Sequence, residues 1–157
     1  MKIKKIISIL TFFLLLSCEY EPIYSKKKLE NSYNFTISNI GFSGENIINQ
    51  TIKNNLINYT NVKGKEIKYD LIIDSKILKT ITSKNKKGDP EIFHSKIIVN
   101  IDILEKNNVI RKKVFNDGFE YKNKSNKFEL KQYEQSIQKN LSSKISKEII
   151  AYLHAIK

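Results

Sequence analysis

The sequence predicts a two-layer α+β sandwich, with two helices packed on one face of a four-stranded, mainly antiparallel sheet in the order β-α-β-β-β-α. Three observations carry this reading. Long runs of alternating apolar and polar residues mark half-buried strands, with side chains pointing to opposite faces at period two. Two apolar stripes recur at spacings of three and four, the signature of helices buried on one side. The chain of 157 residues, 40% of them hydrophobic, supports one folded domain.

The first strand is expected from Tyr33 to Ile40, where Tyr33, Phe35 and Ile37 alternate with Asn34, Thr36 and Ser38. Gly41 and Gly44 then mark a turn. Ser43 is expected to cap the following helix, and Glu45 to lie in its first turn, where the helix dipole favours an anion. Ile48, Ile52, Leu56 and Tyr59 form the stripe of that helix.

After a loop at 60–65, Ile67, Tyr69, Leu71, Ile73, Ile77 and Ile81 occupy odd positions, while Lys68, Asp70, Asp74, Lys76, Thr80 and Thr82 occupy even ones. This describes a long strand with one wet face, on which Asp70 and Asp74 are solvated beside Lys68 and Lys76. The segment 84–90 ends in Gly88-Asp89-Pro90, a turn signal. Phe93, Ile97, Val99, Ile101 and Ile103 then resume the alternation, so a hairpin is expected. A second turn at Lys106-Asn107-Asn108 leads into a ragged fourth strand. There Val109, Phe115, Phe119 and Tyr121 share a parity that Ile110 and Val114 break, which suggests a bulge.

Asn126, three residues before Glu129, provides a capping-box pattern for the last helix. Its stripe is Ile137, Leu141, Ile145, Ile149, Tyr152 and Ile156, and no Gly or Pro interrupts it. Both helix stripes are expected on the apolar face of the sheet, which has no other cover.

The N-terminus is of a different kind. Lys2, Lys4 and Lys5 precede an apolar run from Ile6 to Leu16 broken only by Ser8 and Thr11, the layout of a signal peptide. As a helix, about eleven residues span roughly 16 Å, short of the ~30 Å hydrocarbon core of a bilayer. The run closes in Leu15-Leu16-Ser17-Cys18, which resembles the lipobox of bacterial lipoproteins, and Cys18 is the single cysteine of the chain. A small Ser17 before the cleavage point fits a tight protease pocket, and the Cys18 thiol is the acceptor for a diacylglyceryl group. More than one acyl chain, at about 0.8 kcal/mol per buried methylene, gives stable anchoring. The domain plan is therefore a lipoprotein signal peptide at 1–17, a lipidated tether at 18–32 containing Pro22 and Lys26-Lys27-Lys28, and the α+β domain at 33–157.

Other chemistry is excluded in turn. One cysteine forms no internal disulfide, and two His supply too few ligands for a structural zinc site, so no metal or cofactor is expected beyond diacylglycerol and an N-acyl lipid on Cys18. The formal charge of +12 permits an acidic or phosphorylated partner. All basic residues except Arg111 are Lys, however, whereas bidentate phosphate recognition favours Arg, and nucleic acid is not expected as a partner. There is no G-x-S-x-G elbow, phosphate loop or H-E-x-x-H motif, and His94 and His154 read as surface residues, so no enzymatic activity is expected. N-x-[ST] matches at Asn34, Asn49, Asn58, Asn123 and Asn140 are what an Asn-rich chain produces by chance.

Cys18-Glu19-Tyr20-Glu21-Pro22-Ile23-Tyr24 resembles the mature start of the LptE-like family of lipopolysaccharide (LPS)-assembly lipoproteins, whose pattern is roughly Cys-Gly-aromatic-x-Pro-aliphatic-Tyr. Glu19 departs from the usual Gly, and an acidic residue beside the lipidated Cys can bias retention in the inner membrane. The order of elements is similar as well. The resemblance implies an outer-membrane lipoprotein that sits on the periplasmic side or within the lumen of the LPS-export β-barrel, an LptD-like protein. There it helps the barrel assemble and assists LPS insertion into the outer leaflet. Basic clusters at Lys84, Lys86 and Lys87 and at Arg111, Lys112 and Lys113 are the candidate contacts to LPS phosphates. For any one of them, the simpler reading is a solvated charge that keeps sheet edges from aggregating. Two other functions fit a lipoprotein signal, namely a transporter-associated subunit for intermembrane phospholipid transport and a structural envelope lipoprotein. The first would need an apolar groove lined by exposed aliphatics.

Overall fold

The computed structural model describes residues 33–156. The expected leader, the Ser17–Cys18 cleavage point, the Cys18 lipidation site and the tether lie outside the described residues. Among these, no helix is long and apolar enough to cross a membrane.

Alternation dictates the sheet. Strands β1 (Phe35–Gly44), β2 (Ile67–Lys84), β3 (Pro90–Glu105) and β4 (Asn108–Lys122) lie in the order β1-β2-β3-β4. The β2–β3 and β3–β4 pairs are antiparallel, whereas β1 runs parallel to β2. A parallel neighbour needs a crossover, and helix α1 (Asn46–Leu56) with a 3₁₀ turn (Ile57–Tyr59) supplies it. The long helix α2 (Lys127–Ala155) packs beside α1 on the same sheet face. The architecture is the two-layer β-α-β-β-β-α sandwich that the sequence predicts.

The core lies between the layers. Ile48, Ile52 and Leu56 of α1 and Ile145, Ile149 and Leu153 of α2 are buried against Leu71, Ile73, Ile97, Val99, Ile101 and Ile103 of the central strands. Each fully buried side chain of this size contributes about 1.5–3 kcal/mol relative to exposure. Where the two helices meet, α2 carries Ser142 and Ser146, both fully buried. Their hydroxyls donate to Gln138 O (2.6 Å) and Ser142 O (2.7 Å), so small side chains line the contact without leaving polar atoms unsatisfied.

Several local expectations are corrected. Gly41 does not end the first strand. It stays in β1 opposite Ile72, and the strand runs on to Gly44. A bulge at Ser38 makes this possible, because the register steps from Ile37↔Tyr69 to Asn39↔Asp70. One extra residue inverts the parity, so Ile40 and Phe42 turn towards the core after Phe35 and Ile37.

Ser43 does not cap α1. Its hydroxyl donates to Asp74 Oδ1 (2.7 Å), while Glu45 is the N-cap residue, makes no side-chain cap, and leaves the first turn without an acid. The buried Ser75 of β2 takes over part of the capping role. Glu45 N donates to Ser75 Oγ (3.0 Å), and Ser75 Oγ donates to Asn49 Oδ1 (2.7 Å). At the far end of β2, Ile77 is only half-buried and Ile81 is 48% exposed, because β2 runs on past α1, while α2 covers Phe93 and Tyr121 in the same row on β3 and β4. Val109 and Phe119 of β4 are also largely exposed.

Other local expectations match the structure. Asn126 Oδ1 accepts from Phe128 N (3.0 Å) and Glu129 N (3.3 Å), so the last helix is capped where its sequence says. The fourth strand is bulged as well, the register stepping from Ile103↔Arg111 to Leu104↔Val109, so that Ile110 is the extra residue.

Gly44 is the tightest point. Its φ is +86°, and a Cβ there would lie 1.9 Å from Ser75 O. Gly64 has φ +76° with open space around it. Gly44→Ala is therefore expected to destabilise the domain well beyond the ~1–2 kcal/mol of left-handed backbone strain alone, whereas Gly64→Ala costs about that strain. Urea unfolding midpoints of the two variants check this; equal losses would contradict it.

Candidate functional site

The strand registers decide which candidate residues share a surface. Lys84, Lys86 and Lys87 are all exposed at the tip of the β2–β3 hairpin. Asn85 makes that tip rigid. Its N–H donates to Asp89 O (2.9 Å), its side-chain oxygen accepts from Lys87 N (2.9 Å) and Asp89 N (3.0 Å), and Gly88 closes the turn at φ +87°. None of the three lysines takes part in an ion pair among the described residues. The tip thus presents cationic groups on a fixed backbone, free to meet an anion.

The second cluster is not a patch. Lys112 faces the open side of the sheet and pairs with Asp102 (3.0 Å), while its neighbour Lys113 points to the helix side with Nζ 5.7 Å from the centre of the Tyr152 ring. Arg111 donates to the Ile110 carbonyl (2.9 Å). The two clusters are also far apart. Lys122 pairs with Ile92 and Arg111 with Ile103, which separates the ends of β4 by roughly 35 Å at ~3.3 Å per residue.

The sheet face away from the helices is polar and internally tied. Asn39 donates to Asp70 (2.9 Å), Ser43 to Asp74 (2.7 Å) and Asn100 to Asp74 (3.5 Å). Asp70 and Asp74 are therefore ligated across strands in addition to being solvated. Ile72, Leu78 and Val114 also lie exposed on this face, on different sides of the tied polar groups rather than as a groove.

Sequence reasoning missed a cleft between β4 and α2. Phe119, Tyr133, Ser136, Ile137, Asn140 and Leu141 line a slot of about 180 Å³. It opens at Phe119 and Tyr133 into a shallow depression of about 540 Å³ that reaches Ile92 and Lys124. The parity of Phe119 signals its side of the sheet, but not that α2 leaves it 47% exposed.

Beside the cleft, Glu134 of α2 joins two strands. Tyr121 OH donates to Glu134 Oε1 (2.8 Å), and Lys79 Nζ lies 2.6 Å from the same oxygen and 4.1 Å above the Phe93 ring. Burial, followed by the Glu134 hydrogen bond and charge, pushes the Tyr121 phenol far above its ordinary value. His154 stacks edge-on to Tyr33, Phe35 and Tyr59, and His94 packs over Gly118. No group of three His, Cys, Asp or Glu among the described residues could hold a metal ion.

With this geometry in place, comparison with known proteins is informative about the fold. No family model matches the chain, and no curated protein matches it in sequence. Solved structures do. A minor lipoprotein from Acinetobacter baumannii aligns with TM-score 0.60 at 12% identity, over 78% of this chain and 93% of its own. Rare lipoprotein B from Shewanella oneidensis gives 0.56 at 10%, over 75% and 95%. Lipoprotein B from Nitrosomonas europaea gives 0.56 at 13%, over 78% and 84%. The chain shares their fold.

The buried tyrosine yields a pH prediction. The Tyr121 phenol is raised from 10.0, so the folded state keeps a proton that the unfolded chain releases above pH ~10. Its contribution is complete below that pH and is lost as the pH rises further. Unfolding free energy should fall above pH ~10 with a slope of up to ~1.4 kcal/mol per pH unit from this group. Tyr121→Phe should flatten that slope in denaturant titrations, and an unchanged slope would contradict the assignment.

Proposed function

We propose that the protein is anchored through lipid on Cys18 in the outer membrane and serves as the plug and assembly subunit of the LPS-export β-barrel, assisting LPS insertion into the outer leaflet. The observation that carries this reading is the pairing of a lipobox with a fold shared by bacterial lipoproteins, which is LptE-like. No bond-making chemistry is involved.

The division of surfaces supports the role. Both helix stripes are buried on the sheet, so the domain meets a partner through its polar open face, its edges and the hairpin tip. A water-lined lumen can accept such surfaces. The rigid turn with Lys84, Lys86 and Lys87 suits contact with lipid A or core phosphates. The apolar slot of about 180 Å³ opens into a shallow depression lined in part by Glu120, Lys122 and Lys124, so the cleft is rimmed by charge and is not a closed apolar groove for acyl chains.

Depletion of the protein should leave newly made LPS inaccessible to label added outside the cell, and Cys18→Ser should fail to restore it. Joint replacement of Lys84, Lys86 and Lys87 by Ala should weaken LPS binding about threefold or more, given ~0.2–1 kcal/mol per exposed contact, without moving the unfolding midpoint. Normal LPS export on depletion, with phospholipid transport failing instead, would overturn the reading.

A further inference from the structure

The two edges of the sheet are treated differently. At β1 the edge is blunted, since Thr60 bridges Ile37, Asn61 N donates to Ile37 O (3.0 Å), and the bulge at Ser38 bends the strand. At β4 nothing comparable occurs. Once past Ile110, the strand runs from Arg111 to Lys122 in unbroken register with β3 and has no strand on its other side among the described residues. Such an edge is a template for another strand.

Its charges are unevenly spread. Arg111, Lys112 and Lys113 occupy one half, and Asp117 and Glu120 the other, with Lys122 at its far end, outside the stretch from Lys112 to Glu120. Within the chain Lys144 holds Asp117 (2.9 Å), Lys112 holds Asp102 (3.0 Å) and Lys113 lies 5.7 Å from the Tyr152 ring centre, so contacts across the edge would add to these. Glu120 is exposed and takes part in no ion pair among the described residues. Val114 and Phe119, 54% and 47% exposed, lie between and beside these groups.

We propose that β4 pairs antiparallel with β4 of a second copy of this chain, about a two-fold axis at Asn116. Each copy then offers the same patch, as a closed symmetric pair requires. In this register Lys112 stands opposite Glu120 of the second copy on the open face, twice over. On the helix face Lys113 stands opposite Phe119 of the second copy, where a cation meets an aromatic ring. A parallel alignment would instead set three cations against three cations.

The helices leave room for this. Two helices cover four strands, so each spans about two strand spacings of ~4.8 Å. Continuing the sheet through β4 would place α2 beside its counterpart at an ordinary interhelical distance of about 8–10 Å. The inference does not depend on the proposed function, and a barrel partner would have to displace the second copy or use another surface.

The test uses the mature lipoprotein in detergent, with the unsubstituted protein as the Cys18 control. Sedimentation should show a reversible dimer. Asn116→Cys, the self-opposed position, should form a disulfide-linked dimer under mild oxidation, while Lys86→Cys at the hairpin tip should not. Glu120→Lys should weaken the dimer roughly tenfold, because two symmetry-related pairs are lost together, and circular dichroism would verify that the variant folds. A monomer at every soluble concentration, or Asn116→Cys crosslinking no faster than Lys86→Cys, would overturn the proposal.

Discussion

Burial of a single sheet face under two helices is the constraint on which the rest of this molecule depends. Ile73, Ile97, Val99 and Ile101 lie on that face, and Ile48, Ile52, Ile145 and Ile149 close over it with essentially no exposure. Because the apolar stripes of both helices are consumed in this contact, the remaining surfaces are the open face, two sheet edges, the cleft at Phe119 and Tyr133, and a hairpin whose β2 strand runs past α1. The parallel β1 follows from the same constraint: α1 must cross from one strand to the next on the covered side.

Tightness at one corner of that sandwich explains its local oddities. β1 can reach α1 only by crossing close to Ser75, where no Cβ fits at Gly44. The Ser75 hydroxyl and carbonyl both accept from Glu45 N. A cap supplied from a neighbouring strand replaces the local one, and Ser43 is released to bind Asp74. Fixed backbone and buried polar groups are mutually supporting there, since each hydrogen bond requires the close approach that glycine permits.

The legible parts of the fold were those set by local periodicity. Odd positions from Tyr69 to Ile73 and from Phe93 to Ile103 point inward as their alternation says, and Asn126 caps α2 as its spacing says. Longer-range effects were hidden. An extra residue at Ser38 restored Ile40 and Phe42 to the core, so that glycines read as a turn became strand. Ile77 and Ile81 kept their parity but lost their cover, because alternation cannot report where a helix ends above the sheet. The same gap affected the candidate sites. Exposure of Lys86 and Lys87 was readable from turn chemistry, whereas adjacency in sequence concealed that Lys112 and Lys113 point to opposite faces. The cleft at Phe119 arises from the path of α2 across β4, which no single segment encodes.

Function rests on what this division of surfaces leaves available. With the helix stripes buried on the sheet, the proposed lipid-anchored role would engage a partner through the open face, the sheet edges and the hairpin tip. The most direct measurement is to tag the C-terminus, extract the protein from membranes in mild detergent and identify by mass spectrometry what copurifies in stoichiometric amount. A large outer-membrane β-barrel is the expected result. Recovery with an inner-membrane transporter complex, or with no partner, would contradict the account.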